Sequence, residues 1–320
     1  KHSQNTLHCT FKILTMKFSG NKLLIVTLSL LSVLPLTIFV LYEPDIPVEQ
    51  LKQKYANEQS KFIAINGLQV HYRIEGQGEP LVLVHGTSSM LQTWDDWTTI
   101  LSPHFKIIRM DIPAFGLTGP RADGNYSDTA YVNFMEQFVS KLGLDSFYLG
   151  GNSLGGLISW KYAATYPHRV RKLILVDPGG FYGFNDKTGS FIFRMAKEKP
   201  ALTNLISKIG THYFVNHTLE EVYADDSKIT PQKKEMYAEL NRRTGNRHSF
   251  VERVRQIHQN SDEELKNIQC PSLILWGKDD LLIDVREAEH FKNISSPVFV
   301  FYDHTGHCPQ EEIPIRSAAD

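Results

Sequence analysis

Short apolar runs alternate with amphipathic stretches along most of this chain. Leu81–Val84, Phe105–Met110, Ser146–Leu149, Lys172–Val176, Leu273–Trp276 and Val298–Tyr302 are brief, rich in branched and aromatic side chains, and read as strands. Phe62–Ile65 and Leu68–Ile74 flank Asn66-Gly67, a dipeptide that favours positive φ at both turn positions and so predicts a β-hairpin. A helix is predicted near Trp94–Leu101. A second spans Thr129–Leu142, where Val132, Phe134, Met135, Phe138, Val139 and Leu142 recur at helical spacing. Strands that alternate with helices predict an α/β fold, a mostly parallel central sheet with helices on both faces.

The alternation stops between residues 178 and 260. That stretch reads as helical, shows no clear strand and holds ten aromatic residues. The strand pattern resumes at Ser272, so residues 61–177 and 261–320 are expected to form one core around an inserted segment. Residues 43–60 are polar, contain Pro44 and Pro47, and read as a linker.

Leu23 to Tyr42 is a run of twenty residues without a charge. As a helix it would be about 30 Å long, the thickness of a bilayer core. Lys17 and Lys22 precede it, which predicts an N-terminal segment (1–22) on the cytoplasmic side and an outward-facing main domain. A cleaved signal sequence is the rival reading and would give a secreted protein. It normally has a shorter apolar region and a small-residue cleavage site, and no A-x-A pattern follows Leu34. Residues 1–15 hold no methionine, and Met16 opens the basic segment.

Composition narrows the function classes. The 320 residues carry a net charge of −1, which gives no reason to expect a nucleic-acid partner. No H-E-x-x-H or C-x-x-C spacing points to a metal, and no G-x-G-x-x-G follows a strand, so neither metal nor dinucleotide cofactor is expected. The three cysteines, Cys9, Cys270 and Cys308, form no disulfide framework. Cys270 and Cys308 stand at opposite ends of neighbouring predicted strands, about 20 Å apart, too far to bridge.

The chemistry concentrates at Gly151-Asn152-Ser153-Leu154-Gly155. This G-x-S-x-G sequence sits between a predicted strand and a predicted helix over Gly156–Ala164, the context that exposes a serine hydroxyl on a tight turn. A serine needs a base to take its proton and an acid to orient that base. Downstream, the strand ending at Gly277 is followed by Asp279 and Asp280, and the strand ending at Tyr302 by His304 and His307.

The order Ser, Asp, His resembles that of the α/β-hydrolases, and the resemblance runs from about Lys61 to the C-terminus. Pro80–Thr87 resembles the family's third strand and oxyanion loop. Asp111–Gly119 resembles its D-x-P-G-x-G segment, with Ala114 where a glycine is usual. The resemblance implies Ser153 as nucleophile, His307 rather than His304 as base, and Asp280, three residues after Gly277, as the acid. Asp177 and Asp279 remain competitors for the last role. It implies an oxyanion hole from the backbone N–H groups of Leu154 and Thr87, with His85 a structural residue of that loop. It also implies that 178–260 is a cap, with Phe181, Phe184 and Tyr237 lining a substrate pocket alongside such residues as Phe191 and Phe193. Glu312–Asp320 looks like the start of the family's last helix, with further residues expected beyond it.

The expected reaction is hydrolysis of an uncharged, fairly apolar carboxylic ester, as in the bacterial lipases and esterases whose elbow Gly150–Ser153 resembles. Hydrolysis of a C–C bond in a vinylogous diketone acid is the alternative. Enzymes of that kind carry a tryptophan after the histidine, where this chain has Cys308, and a cap arginine at a position that aligns with Tyr237. A cofactor-free haloperoxidase would use the same three residues. A catalytically dead binding module would not need them intact.

Overall fold

The computed structural model describes residues 36–181, 191–258 and 260–320. Two compact units are distinguished, Lys1–Tyr42 and Glu43–Asp320. Among the described residues, no helix is long and apolar enough to cross a membrane. Most of the predicted span 23–42 lies outside those residues.

Glu43–Asp320 is built on one eight-stranded sheet. After helix α1 (Val48–Tyr55) come β1 (Lys61–Ile65), β2 (Leu68–Glu75) and β3 (Glu79–Val84). Helix α2 (Asp95–Leu101), β4 (Phe105–Met110), α3 (Asp128–Lys141), β5 (Phe147–Asn152), α4 (Leu154–Thr165) and β6 (Val170–Val176) follow. The helical insertion contributes α5 (Phe191–Glu198), α6 (Pro200–Ile206), α7 (Thr211–Val222), α8 (Pro231–Asn241) and α9 (Asn246–Arg255). The sheet ends with β7 (Ser272–Gly277) and β8 (Pro297–Tyr302), and short helices α10 (Pro309–Glu312) and α11 (Pro314–Ala319) close the chain.

The strand order is β1-β2-β4-β3-β5-β6-β7-β8. β1 and β2 are antiparallel, β2 is antiparallel to β4, and every later pairing is parallel. The hairpin turn has φ of 48° at Asn66 and 82° at Gly67, the double positive φ that matches strand twist. Parallel strands buried on both faces must be apolar throughout, and the central β3, β4 and β5 bury nearly every residue.

Helix α4 is buried on almost its whole circumference, consistent with its apolar sequence, and lies against β5. Its first turn can approach only because residues 151 and 155 lack side chains. A Cβ on Gly155 would meet the Val84 carbonyl oxygen at 2.0 Å, and one on Gly151 would meet the Gly155 carbonyl oxygen at 2.2 Å.

Residues 43–60, read as a linker from their polarity, are structured. Ile46 pairs with Arg243 in an isolated bridge, and Ile46 and Leu51 join a core with Met90, Leu117, Leu219, Tyr223, Ile229, Tyr237 and Leu240. Two apolar side chains among many polar ones suffice, because the surface that receives them comes from residues far away in sequence.

Candidate active site

The site forms where β3, β5, β6, β7 and β8 all end, at one edge of the sheet. Ser153 occupies the junction of β5 and α4 with φ 56° and ψ −117°, a strained backbone for a residue with a side chain. The strain is held by neighbours. Ser153 N–H donates to Val176 O at 3.1 Å, and Ser153 O accepts from Leu157 N–H at 3.0 Å and Gly179 N–H at 2.9 Å. Leu154 opens the helix, so its N–H is among the first four that have no intrahelical acceptor.

His307 and Asp280 meet from two different loops. His307 Nδ1 lies 2.6 Å from Asp280 Oδ2, and both side chains are buried. The other Asp280 oxygen accepts from Leu282 N–H at 2.8 Å and Ile283 N–H at 3.0 Å. Three donors therefore converge on Asp280, and with Nδ1 turned to that carboxylate His307 keeps Nε2 free for another partner. Asp279 and His304 stand outside this arrangement: their side chains are 53% and 96% exposed, 3.8 Å from each other.

Asn152 was not singled out by sequence, yet it joins the two halves of the site. Its Nδ2 donates to Val176 O at 3.1 Å and to His307 O at 3.0 Å, so the residue before the serine holds the backbone of the histidine. Its place before Ser153 was the only available clue.

His85 is fully buried. Its Nδ1 lies 2.7 Å from Gly86 O, and its Nε2 accepts from Ile112 N–H at 3.0 Å. Burial lowers its pKa, so the ring is a neutral bridge between the loop after β3 and the loop after β4. It is a structural element and not a second base.

Gly86, Thr87, Ser153 and His307 line a cavity of about 140 Å³ between the sheet edge and the helical insertion. Phe193, Phe214, Val215, Leu219, Phe250 and Val251 from the insertion make most of the remaining wall apolar. Tyr237 and Cys308 also line it. The Tyr237 hydroxyl lies 3.3 Å from Ser89 Oγ and donates to Glu311 Oε1 at 3.0 Å.

Phe181, expected in the pocket wall, packs elsewhere. It is 1% exposed, stacked on Trp160 at 5.7 Å and on His290 at 4.4 Å, with Phe291 edge-on at 5.6 Å. It follows β6 so closely that α4 and the 285–293 segment capture it before the chain reaches the cavity. Phe184 lies outside the described residues.

Among the described residues of the cavity wall, Arg247 is a buried cation paired with a carboxylate. It pairs with Asp45 at 2.5 Å and donates to Glu43 O at 2.9 Å, Ser207 O at 3.1 Å and Thr211 Oγ1 at 2.8 Å.

Asp177, Asp280 and His307 place one oxygen or nitrogen each within 4.8 Å of one another. Asp280 and His307 bond each other directly at 2.6 Å, while Asp177 makes no bond to His307 among the described residues.

Comparison with known proteins fits this geometry. The model of the alpha/beta hydrolase fold family matches residues 79–314, and the chain belongs to that family. It is 26% identical over 250 residues to a 2-hydroxy-6-oxo-2,4-heptadienoate hydrolase of Pseudomonas putida, covering 75% of this chain and 86% of that protein. It is 28% identical over 251 residues to Lipase 3 of a Moraxella species, covering 76% of each. Among solved structures, a membrane phospholipase A described as a bacterial virulence factor superposes with a TM-score of 0.71 at 23% identity, covering 93% of this chain and 94% of that one. The protein is thus a hydrolase of the α/β fold, and its relatives include both lipases and C–C bond hydrolases.

Proposed function

We propose that this protein hydrolyses neutral, apolar carboxylic esters through an acyl-enzyme on Ser153. The reading rests on the cavity: Ser153 and His307 open into a mostly apolar wall whose buried cation, Arg247, is already neutralised by Asp45. An acyl chain gains from that wall by losing contact with water.

In this mechanism Ser153 Oγ attacks the ester carbonyl while His307 Nε2 takes its proton. The oxyanion that forms is met by the backbone N–H groups of Leu154 and Thr87, which stabilise charge as it develops. The tetrahedral adduct collapses, the C–O bond breaks, and His307 returns the proton to the leaving alcohol. Water then attacks the acyl-enzyme with His307 again as base, releasing the acid and regenerating Ser153. Asp280 keeps the imidazole in the required tautomer and balances the imidazolium charge.

A second reading, hydrolysis of a C–C bond in a vinylogous diketone acid, is favoured by the similarity to the Pseudomonas putida enzyme. Against it stand Cys308 after the histidine and Tyr237 in the cap. One experiment separates the two. The full chain and Ser153→Ala are assayed with p-nitrophenyl esters from acetate to palmitate and with 2-hydroxy-6-oxo-dienoic acids. A rate that peaks at one acyl length and vanishes in Ser153→Ala supports the ester reading. Turnover of the dienoic acids alone overturns it.

Membrane anchoring through Leu23–Tyr42 is a separate proposal, carried by the twenty uncharged residues there. Full-length protein that pellets with membranes in high salt and dissolves in detergent supports it, and release by salt alone refutes it.

A further inference from the structure

Asp177 is the one residue of the carboxyl–histidine cluster that the mechanism above leaves without a task. It follows β6 directly, is 0% exposed, and adopts φ 43°, a conformation non-glycine residues rarely hold. Its Oδ1 accepts from Gly277 N–H at 2.9 Å, but its Oδ2 is buried with no hydrogen-bond partner among the described protein atoms. The neighbouring acid is fully served: Asp280 takes two backbone amides on Oδ1 and His307 on Oδ2. One oxygen of Asp177 lies within 4.8 Å of one of Asp280. Two ionised carboxylates at that range in a buried site repel strongly, so one of them must hold a proton. Three donors aimed at Asp280 leave it no orphaned oxygen. The orphaned oxygen of Asp177 is where the proton goes.

We infer that Asp177 is a protonated carboxylic acid in the folded protein at neutral pH and donates a hydrogen bond to ionised Asp280, so that a carboxyl pair sharing one proton positions His307. The inference deepens the proposed triad and rests on it. Burial first, and the charge of Asp280 second, push the Asp177 carboxyl well above the ordinary carboxylate range. The other titratable groups around it, Glu312 from α10, Tyr302 from β8 and Cys308, bring no compensating positive charge. His307 is engaged by Asp280.

A donor on Asp280 moderates its basicity toward His307 and fixes the plane of its carboxylate. Asp177 therefore acts as a positioning residue, through Asp280. An ionised Asp177 would instead add a second negative charge beside His307 and raise the pH at which the histidine loses its proton.

The test uses the full chain, with infrared spectroscopy on aspartate-labelled protein and pH profiles of kcat/KM. The expected result is a carboxylic-acid C=O band at pH 7 that disappears in Asp177→Asn. Asp177→Ala is expected to lower kcat by roughly tenfold to a hundredfold, the value of a charge-assisted hydrogen bond. Asp177→Asn, whose amide supplies the same donor and tolerates positive φ, recovers most of that loss and leaves the acid limb of the profile in place. A wild-type spectrum without the band at pH 7 overturns the inference. An acid limb that moves down by about one unit in Asp177→Asn overturns it as well, because it shows that a charge was removed. Labelling of Ser153 by a fluorophosphonate tests the triad separately. If labelling fails while the band is present, the proposed reaction falls and the proton assignment stands.

Discussion

The backbone N–H of His307 donates to the carbonyl of Val222 at 2.7 Å, which ties the loop carrying the histidine to the last residue of helix α7 in the insertion. Glu312 reinforces the same seam. One of its oxygens accepts from Gly306 N–H at 2.8 Å and the other from Ala224 N–H at 2.9 Å. The insertion thus does more than roof the cavity, because it supports the backbone that carries His307.

Removing that support should weaken both stability and rate. Glu312→Ala leaves the backbone N–H groups of Gly306, Ala224 and, at a longer 3.4 Å, Asp225 without this acceptor, which costs about 1–3 kcal/mol for each one that stays buried and unpaired. Urea unfolding is expected to show a loss in that range, and kcat is expected to fall further than KM rises. Unchanged kcat in a destabilised variant would mean that the histidine loop holds its geometry without the seam.

Ala114 stands where the family's segment usually has glycine, and the structure gives it φ 89°. Its N–H is committed to Gly119 O at 2.8 Å, so the conformation cannot relax. Ala114→Gly is expected to stabilise the fold by about 1 kcal/mol, since relief of strain exceeds the extra entropy that glycine loses on folding. The melting temperature should rise by roughly 1–2 °C with activity unaltered.

The choice among acids can be checked by neutral replacements. Asp280→Asn removes the charge and reverses the hydrogen-bond sense at His307 Nδ1, and is expected to reduce kcat on the order of 10⁴-fold. Asp279→Asn and His304→Ala alter exposed side chains outside the relay and should stay within about twofold of wild type. Equal losses in Asp279→Asn and Asp280→Asn would contradict the assignment.

Asp177 also makes stability depend on pH in a predictable direction. Its folded pKa is raised above the ordinary 3.8, so between that pH and its folded pKa the native state binds more protons than the unfolded chain. Its favourable contribution is complete below the ordinary pKa and declines as pH rises toward the folded value. Asp177→Asn removes this dependence. Relative to wild type, the variant should gain about 1.4 kcal/mol per pH unit across that window. Denaturant titrations at several pH values from 4 to 7 measure the trend, and a stability difference that does not shift in favour of Asp177→Asn as pH rises would refute it.

A second Ser-His-Asp chain shows what such a row of atoms lacks on its own. Ser60 Oγ lies 2.9 Å from His71 Nε2, and His71 Nδ1 lies 2.8 Å from Asp111 Oδ2. Ser60 Oγ, however, already accepts from Asn57 N–H at 3.0 Å and Arg73 Nε at 3.3 Å, and Ser60 does not line the cavity that holds Ser153. The row fastens residues 57–60 to the sheet. Ser153 differs by its strained backbone, its place at the start of a helix and its access to a cavity.

The sequence by itself determined the alternating fold and the position of the elbow, because both are local. Strand and helix periods repeat within a few residues, Asn66-Gly67 dictates its own turn, and the glycines at 151 and 155 leave the only room through which β5 can turn into α4. Tertiary structure decided which acid meets the histidine. Asp279 and Asp280 are neighbours in sequence, yet the turn after β7 sends one to solvent and the other to His307, a direction fixed by backbone geometry that composition does not encode. It also decided that Phe181 belongs to the core, that Asn152 holds the histidine loop, and that Ile46 and Leu51 anchor a segment whose polarity suggested a linker. Each of these depends on partners tens to hundreds of residues away, and burial is a property of the assembled surface and not of the residue alone.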